Sequence, residues 1–377
     1  MADSEMITFT DPSARLTSDF AREVTDIATS QLDYALEGHR RGFKVYESLK
    51  NLNEVIGTQY GDRVLFELVQ NGHDAHPTSA AEAPGEIAVR LLVTADDCGE
   101  LLVANRGRAF TRSNLDAVIN IGTSDKRIGE GIGNKGLGFR SVEALTDDVR
   151  IFSARPGAPS VRFDGYCFRF ASRGEIENDL LVLGATSDEA RHVADTVPRY
   201  LVPKPEMPST AAVEALAAAG FATVVSLPLR SAEAIALAEA QVTALLDPAA
   251  PVLLFLDRLA ALDVEIDRAE QNPVRQRSTR RAAPIADGAD ETCSLATVTV
   301  DGRDYLLARS VLSKPPLLDA IKASLQAAPP LKRWLDWQGE AIVSVAVPIG
   351  GNGIAGRLFN FLPMIENAIA PIGGHID

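Results

Sequence analysis

The sequence predicts an α/β protein in which helical and strand-like segments alternate through two domains. Three observations lead to this reading. Apolar residues recur at helical spacing from about Asp19 to Gly57 and again through FELVQNGHDAH, Phe66 to His76. Strand-like stretches separated by turn residues follow in EIAVRLLVTADD and GELLVANRG. After a further strand, FATVVSLPLR, the pattern changes near Ser231 to an Ala-rich helix and then to more strands. A chain of 377 residues is too long for one small core. The expected divisions are N-terminal helices over 1–60, a first domain over 61–230 and a second over 231–377.

Along the chain, DIATSQLDYALEGHRRGFKVYESLKNLNEVI reads as one or two long amphipathic helices leading into the helix of 66–76, which Pro77 and the small residues after it end. On that helix Glu67 and Asn71 stand i, i+4 on one face, with Asp74 a further turn on. Leu65, Leu68 and Val69 cover the side to be buried, so a carboxylate and an amide are expected near the core, an arrangement that needs a reason. The two strands that follow make a hairpin turning near Asp97, Cys98 and Gly99. DVRIFSAR and VRFDGYCFRF resume the strand pattern, whereas Ser172 to Ala219 is mixed, Pro-rich near PRYLVPKPEMPST, and shows no clear element.

Beyond the Ala-rich helix SAEAIALAEAQVTALL come the strands DVEIDR, ATVTVDGRDYLLARS and EAIVSVAVPIG. The dense basic run RQRSTRR, with Arg275, Arg277, Arg280 and Arg281, sits among Pro, Ser, Asp and Gly and reads as a solvated loop. The final RLFNFLPMIENAIAPIGGHID ends in strand and turn residues with nothing to cap it, so a longer protein is expected.

Composition narrows the function classes. Apolar residues are 46% and charged residues 23%, an ordinary globular balance. A net charge of -14 gives no general attraction to nucleic acid or anionic lipid. Cys98, Cys167 and Cys293 are scattered and odd in number, which fits a reducing compartment better than a disulfide framework or a zinc cluster. MADSEMITFTDPS lacks the form of a signal peptide, and PVLLFL is too short to span a bilayer, so a soluble cytoplasmic protein is expected. His73 and His76 lack a third ligand at metal spacing and are assigned structural or surface roles.

The Gly-rich stretch INIGTSDKRIGEGIGNKGLGFRSVEALTD carries the chemistry. Gly133, Gly136 and Gly138 precede a helix-forming run, so backbone N–H groups can converge on an anion there, with phosphate the obvious ligand. The same residues also serve turns and tight packing. Lys135 precedes Gly136 without the GKS or GKT of a P-loop. GIGNKG spells GxGxxG, yet no strand runs directly into it as a dinucleotide fingerprint requires.

ELVQNGHDA, NRGRAFT, IGTSDK, GNKGLGFRSV and TVVSLPLR, in that order, resemble the motif set of the GHKL ATPases, the superfamily of gyrase, heat-shock chaperone, mismatch-repair and histidine-kinase ATP-binding domains. YGDRVLFELVQNGHDA and NKGLGFRSV are most similar to its sacsin-type, heat-shock-chaperone-like branch. The likeness covers roughly residues 25 to 230 and implies a Bergerat α+β sandwich, a mixed sheet under helices, followed by a transducer or middle-like domain. It implies ATP and magnesium as cofactors, with Glu67 orienting the attacking water, Asn71 as the magnesium ligand, and Asp74 facing the nucleotide pocket. Ser124 and Lys126 match the lid segment. Gly133, Lys135, Gly136, Leu137, Gly138 and Phe139 match the phosphate loop, and Thr223 the threonine near adenine, although Ala222 replaces the usual glycine before it. Asn105 and Gly107 stand where gyrase and the heat-shock chaperones carry Asp-x-Gly, and the Asn for Asp departure bears on base selectivity; one amide could accept from adenine N6 and donate to N1.

The resemblance implies a slow ATPase whose nucleotide state closes a lid and drives a chaperone-like or remodelling change, with nucleotide-dependent homodimerisation through the N-terminal helices. Two alternatives stay open. One is a nucleotide-gated DNA-acting clamp akin to mismatch-repair or microrchidia proteins, serving defence against foreign DNA; GNKGLGFRSV differs from the GFRGEAL of mismatch-repair proteins. The other is an ATP-binding switch without turnover. A histidine kinase is disfavoured by the absence of a phosphoacceptor hairpin in the sequence and by a strand-rich second part.

Overall fold

A computed structural model describes residues 18–50, 63–77, 85–96, 98–119, 138–157, 161–286, 293–326, 332, 335, 341–350, 354–360, 362–364 and 368–377. Helix α1 (Asp19–Arg40) starts where the Ser18 hydroxyl accepts from the Ala21 N–H at 3.1 Å. Its buried stripe, Ala21, Val24, Ile27, Ala28, Leu32, Ala35 and Leu36, faces the sheet. The chain breaks at Gly42, whose φ of +79° suits glycine, so the long helical stretch is interrupted there. Helix resumes over 45–50.

Helix α2 (Val64–Asp74) leads to the hairpin of β1 (Gly85–Val93) and β2 (Gly99–Asn105), which pair antiparallel with Ile87 opposite Asn105, as the sequence predicts. Helix α3 (Arg112–Ile119), a 3-10 turn over Gly138–Ala144, β3 (Arg150–Ser153) and β4 (Cys167–Phe170) follow. The stretch without a clear sequence pattern contains α4 (Arg173–Val182), α5 (Ser187–Thr196), β5 (Pro203–Pro205) and α6 (Ala211–Ala218). Capping boxes start two of these helices, Ser172 with Glu175 and Thr186 with Glu189. Then come β6 (Thr223–Leu229), α7 (Ala232–Ala244), β7 (Leu259–Arg268), β8 (Val274–Ile285), β9 (Cys293–Val300), β10 (Arg303–Leu312), α8 (Lys314–Ser324) and β11 (Ala341–Pro348). The short strands β12 (Phe359–Asn360), β13 (Leu362–Pro363) and β14 (His375–Ile376) close the described chain.

These strands form a 12-stranded sheet in the order β14-β11-β10-β9-β8-β7-β1-β2-β6-β3-β4-β5, with β12 and β13 apart. Among the described strands every neighbouring pair is antiparallel except β1 and β7, so the sheet is mixed, and helices lie on it: the α+β sandwich expected from the sequence. Alternation sorts the side chains by face. Ile87, Val89, Leu91 and Val93 join the main core with α1, α2 and α7, whereas Ala88, Leu102, Ala104, Phe152 and Val224 pack with Val213, Leu216 and Ala217 of α6 on the other face. Hydrogen bonding continues across residue 231: β7 runs parallel beside β1, and α7 packs in the same core.

The basic run RQRSTRR is not a loop. It lies in β8, between β7 and β9, with Arg275 opposite Glu265 and Arg277 opposite Asp263. Charge pairing supports this strand, because the exposed guanidiniums of Arg275 and Arg277 meet carboxylates on β7 and, for Arg277, on β1. Arg275 bonds Glu265 at 2.7 Å, and Arg277 bonds both Asp263 at 2.5 Å and Glu86 at 2.8 Å. On the opposite face Arg280 is buried and reaches the Leu254 carbonyl at 3.4 Å.

Candidate functional site

Helix α2 has no side-chain cap from its own N-terminal residue Arg63. The orphan Leu65 N–H donates instead to Gln241 Oε1 of α7 at 2.8 Å, a buried bond that fixes where the helix starts. Leu65, Leu68 and Val69 are buried, as their spacing predicts. Glu67 is half-buried, Asn71 is exposed and Asp74 is buried. The amide expected near the core is therefore not there: unlike the buried Leu65, Leu68 and Val69, Asn71 is exposed, and only the Glu67 carboxylate is partly covered.

The end of α2 is tightly held. His73 Nδ1 lies 3.2 Å from Asp74 Oδ1, and His73 Nε2 lies 3.3 Å from Asp257 Oδ1. Burial alone would raise the Asp257 carboxyl, but the His73 hydrogen bond and the Arg309 guanidinium, 2.9 Å away, hold it below the usual carboxylate range. Arg258 donates to the carbonyls of Asp74 at 3.3 Å and His76 at 3.4 Å. His76 donates from Nδ1 to the Gly72 carbonyl at 2.7 Å and accepts the Glu86 N–H at Nε2, 3.2 Å away, so both ring nitrogens are used and the imidazole is neutral. Burial, first of all, lowers its pKa. Both histidines are buried and hydrogen-bonded within the fold, His73 to Asp74 and Asp257 and His76 to Gly72 and Glu86.

Two glycines let the strand ends approach this helix. A Cβ on Gly72 would lie 2.7 Å from Ile87 Cδ1 and 3.5 Å from Asn105 Cβ, so α2 sits directly against β1 and the end of β2. A Cβ on Gly107 would lie 2.6 Å from the carbonyl of Ala75, the residue after Asp74, and the Arg108 N–H donates to that carbonyl at 2.8 Å. Asn105 pairs across the ladder with Thr223, which pairs with Ser153 on its other side. The Thr223 and Ser153 hydroxyls are 3.2 Å apart, and Ser153 Oγ accepts the Phe110 N–H at 2.8 Å. The fold therefore brings Asn71, Asp74, Asn105, Gly107 and Thr223 to one end of α2 and the adjoining strands.

Gly138 opens the 3-10 turn, and Phe139 is half-buried against the main core. Ser124, Lys126, Gly133, Lys135, Gly136 and Leu137 lie outside the described residues. Sequence reading missed Arg140, Ser153, Gln241 and Arg258. Arg140 lay within the quoted GFRSV motif; its buried guanidinium stacks 3.4 Å from the Tyr200 ring centroid and donates to the Val118 carbonyl, tying the 3-10 turn to the end of α3. Burial brings it down to about 10. The other three carry no local signal, because their partners are distant in sequence.

No helix among the described residues is long and apolar enough to cross a membrane. No family model and no curated protein matches the chain. Among solved structures it is similar to the N-terminal domain of a DNA repair protein, at 8% identity over 77% of this chain and 84% of that one, with a TM-score of 0.33. It is also similar to the B-subunit of the DNA gyrase from Myxococcus xanthus, at 13% identity over 86% of this chain and 91% of that one, again with a TM-score of 0.33. Overlap at that level carries no assignment, so any functional reading stands on the chain's own residues.

Proposed function

We propose that the chain is an ATP-binding, slowly hydrolysing ATPase of the GHKL type, with the nucleotide seated against α2 and the ends of β2 and β6. One observation carries the reading: Asn105 and Gly107 come against the end of α2 at Gly72 and Ala75, between and beside Asn71 and Asp74, and Thr223 is the ladder neighbour of Asn105. In this reading the base lies toward Asn105 and Thr223, and the phosphates lie toward Glu67, Asn71 and the glycine-rich residues. Ser124, Lys126 and Lys135 supply hydroxyl and ammonium partners to the phosphates.

Asn71 suits magnesium, a hard cation that keeps several waters and binds nucleotide phosphates with few protein ligands. The ion neutralises phosphate charge when bound. Asn71 offers a neutral oxygen from an exposed position. Glu67, one helical turn earlier and half-buried, orients a water and accepts its proton. Binding is coupled to closure of the lid segment and to homodimerisation in a chaperone-like or remodelling cycle; the DNA-clamp and switch readings differ from it in partner and in turnover.

Calorimetry with ATP and magnesium tests the binding step, and absence of binding at millimolar nucleotide overturns it. Single-turnover hydrolysis separates catalyst from switch. Glu67→Ala is expected to retain ATP and lose hydrolysis, because Glu67 serves the water and not the nucleotide. Equal hydrolysis in both proteins assigns the water to another group.

A further inference from the structure

Helix α7 ends against a small cavity formed by the residues that follow it, by the 3-10 turn Val252–Leu254, and by β7, β8 and β9. Its volume is about 40 Å³, room for roughly three water-sized groups. Leu245, Val252, Leu262 and Val300 give it an apolar wall, and the polar side chains of Asp247, Gln276, Ser278 and Asp301 line the rest.

Two turns hold the carboxylates. Asp301 and Gly302, with φ of +49° and +79°, connect β9 to β10, and Asp301 Oδ1 accepts the Thr279 N–H at 2.7 Å. Asp247 Oδ1 accepts the Ala249 N–H at 2.8 Å. Each carboxylate thus keeps one oxygen on the backbone and has a second without a protein partner among the described residues. Neither aspartate forms an ion pair among those residues: Arg280 reaches the Leu254 carbonyl at 3.4 Å, and Arg303, beside the turn, pairs with neither. On β7, by contrast, Asp263 and Glu265 are both paired with arginines.

Ser278 is the second, independent observation. It is only 7% exposed, it lines the cavity, and its hydroxyl has no hydrogen-bond partner among the described residues. A polar group buried in this way is satisfied by what enters the cavity. The C-terminal end of α7 adds its partial negative charge.

These walls select a chemistry. An anion meets two carboxylates and a helix C-terminus. A hard divalent ion wants about six oxygens, and much of the wall is hydrocarbon. An uncharged apolar molecule leaves both aspartates unanswered. A primary ammonium on a short alkyl chain offers three N–H donors to the carboxylates and the hydroxyl, and methylenes to Leu245, Val252, Leu262 and Val300.

We propose that this cavity binds a primary ammonium group on a short alkyl chain, presented by a small amine or by a lysine side chain of a protein partner. The site is separate from the end of α2, so the inference stands whether or not the chain takes a nucleotide.

The test follows n-butylammonium chloride by saturation-transfer NMR on the full chain, with n-butanol as its uncharged counterpart and acetyl-Gly-Lys-Gly-amide as the peptide source. Asp247→Asn and Asp301→Asn keep Oδ1 for the turns and remove only charge. The expected result is saturable, millimolar binding of butylammonium, no comparable binding of butanol, and a loss of about tenfold or more in the double variant. Should the double variant fail to fold, Ser278→Ala, which touches neither turn, is expected to weaken butylammonium several-fold. Tighter binding of the peptide supports a protein partner as the source, and tighter binding of butylammonium supports a small amine. Butanol bound as well as butylammonium, an affinity that the variants do not move, or no saturable binding of either ammonium by the folded wild type overturns the proposal.

Discussion

Replacing Gly107 with alanine places a methyl group 2.6 Å from the backbone carbonyl of Ala75, where an ordinary contact needs about 3.5 Å or more. The obstacle is main chain at the end of α2, so no side chain can rotate away. Either the 105–107 turn or the helix end must shift by about 1 Å. Overpacking of this kind costs about 1–3 kcal/mol, and the shift also weakens the 2.8 Å bond from Arg108 N–H to Ala75 and the 3.1 Å bond from Gly107 N–H to Asn105, about 1 kcal/mol each at most. A loss of about 2–4 kcal/mol is expected. Gly72→Ala is the internal control. Its methyl meets Ile87 Cδ1 at 2.7 Å, the far end of a flexible side chain, and alanine in a helix interior gains about 1 kcal/mol over glycine. Gly72→Ala should therefore stay within about 1 kcal/mol of the wild type. Urea unfolding at a constant m-value measures both. A Gly107→Ala protein as stable as the wild type, or less affected than Gly72→Ala, would refute the close approach of β2 to α2 on which the site depends.

Three further outcomes follow from buried contacts. Gln241→Leu leaves the buried Leu65 N–H without its acceptor and should cost about 1–3 kcal/mol in the same unfolding assay; a neutral result means that water or another group caps α2. Arg140→Met should destabilise the chain more than Tyr200→Phe, because the guanidinium uses the ring face and the Tyr200 hydroxyl has no partner among the described residues; the reverse order of Tm values counts against the stacking account. His375 is 1% exposed, and burial first, then Arg357 and Arg303, bring its pKa down to about 4 from an ordinary value near 6.5. The folded state disfavours the proton, so this stabilising contribution is complete above about pH 6.5 and is lost as pH falls to about 4, by about 3 kcal/mol at the low end. His375→Gln should flatten the stability profile between those pH values, and an unchanged slope assigns it to other groups.

The sequence revealed those features whose cause is local. The β1–β2 hairpin and the apolar side of α2 follow from spacing, and the structure shows both. Helices α4 and α5 carry local signals too, since SRGE and TSDE spell the capping boxes that start them; α4 is only weakly amphipathic, and the Pro-rich stretch that follows α5 drew the reading toward irregular chain. The β8 arginines misled because charge runs favour solvent in general, and only the register against Asp263 and Glu265 shows why this one forms a strand. Gln241, Ser153 and Arg258 could not be found by pattern at all: each acts on a partner brought near by the fold.

Those non-local contacts give α2 an unusual mechanical position. Gln241 holds its first turn, and Arg258 and Asp257, through His73, hold its last. All three holders come after residue 231, and Asp257 is bonded in turn to Arg309 on β10. The β1–β7 pairing adds a parallel ladder from Gly85 to Val93 between the same two parts of the chain. A ligand that rotates or shifts α2 must therefore break or carry with it contacts to the strands beyond 231, whatever the chemistry at Glu67. Any motion at the candidate site would act on bonds shared with the second part, of which the Leu65–Gln241 bond is buried and the His73–Asp257 contact partly so.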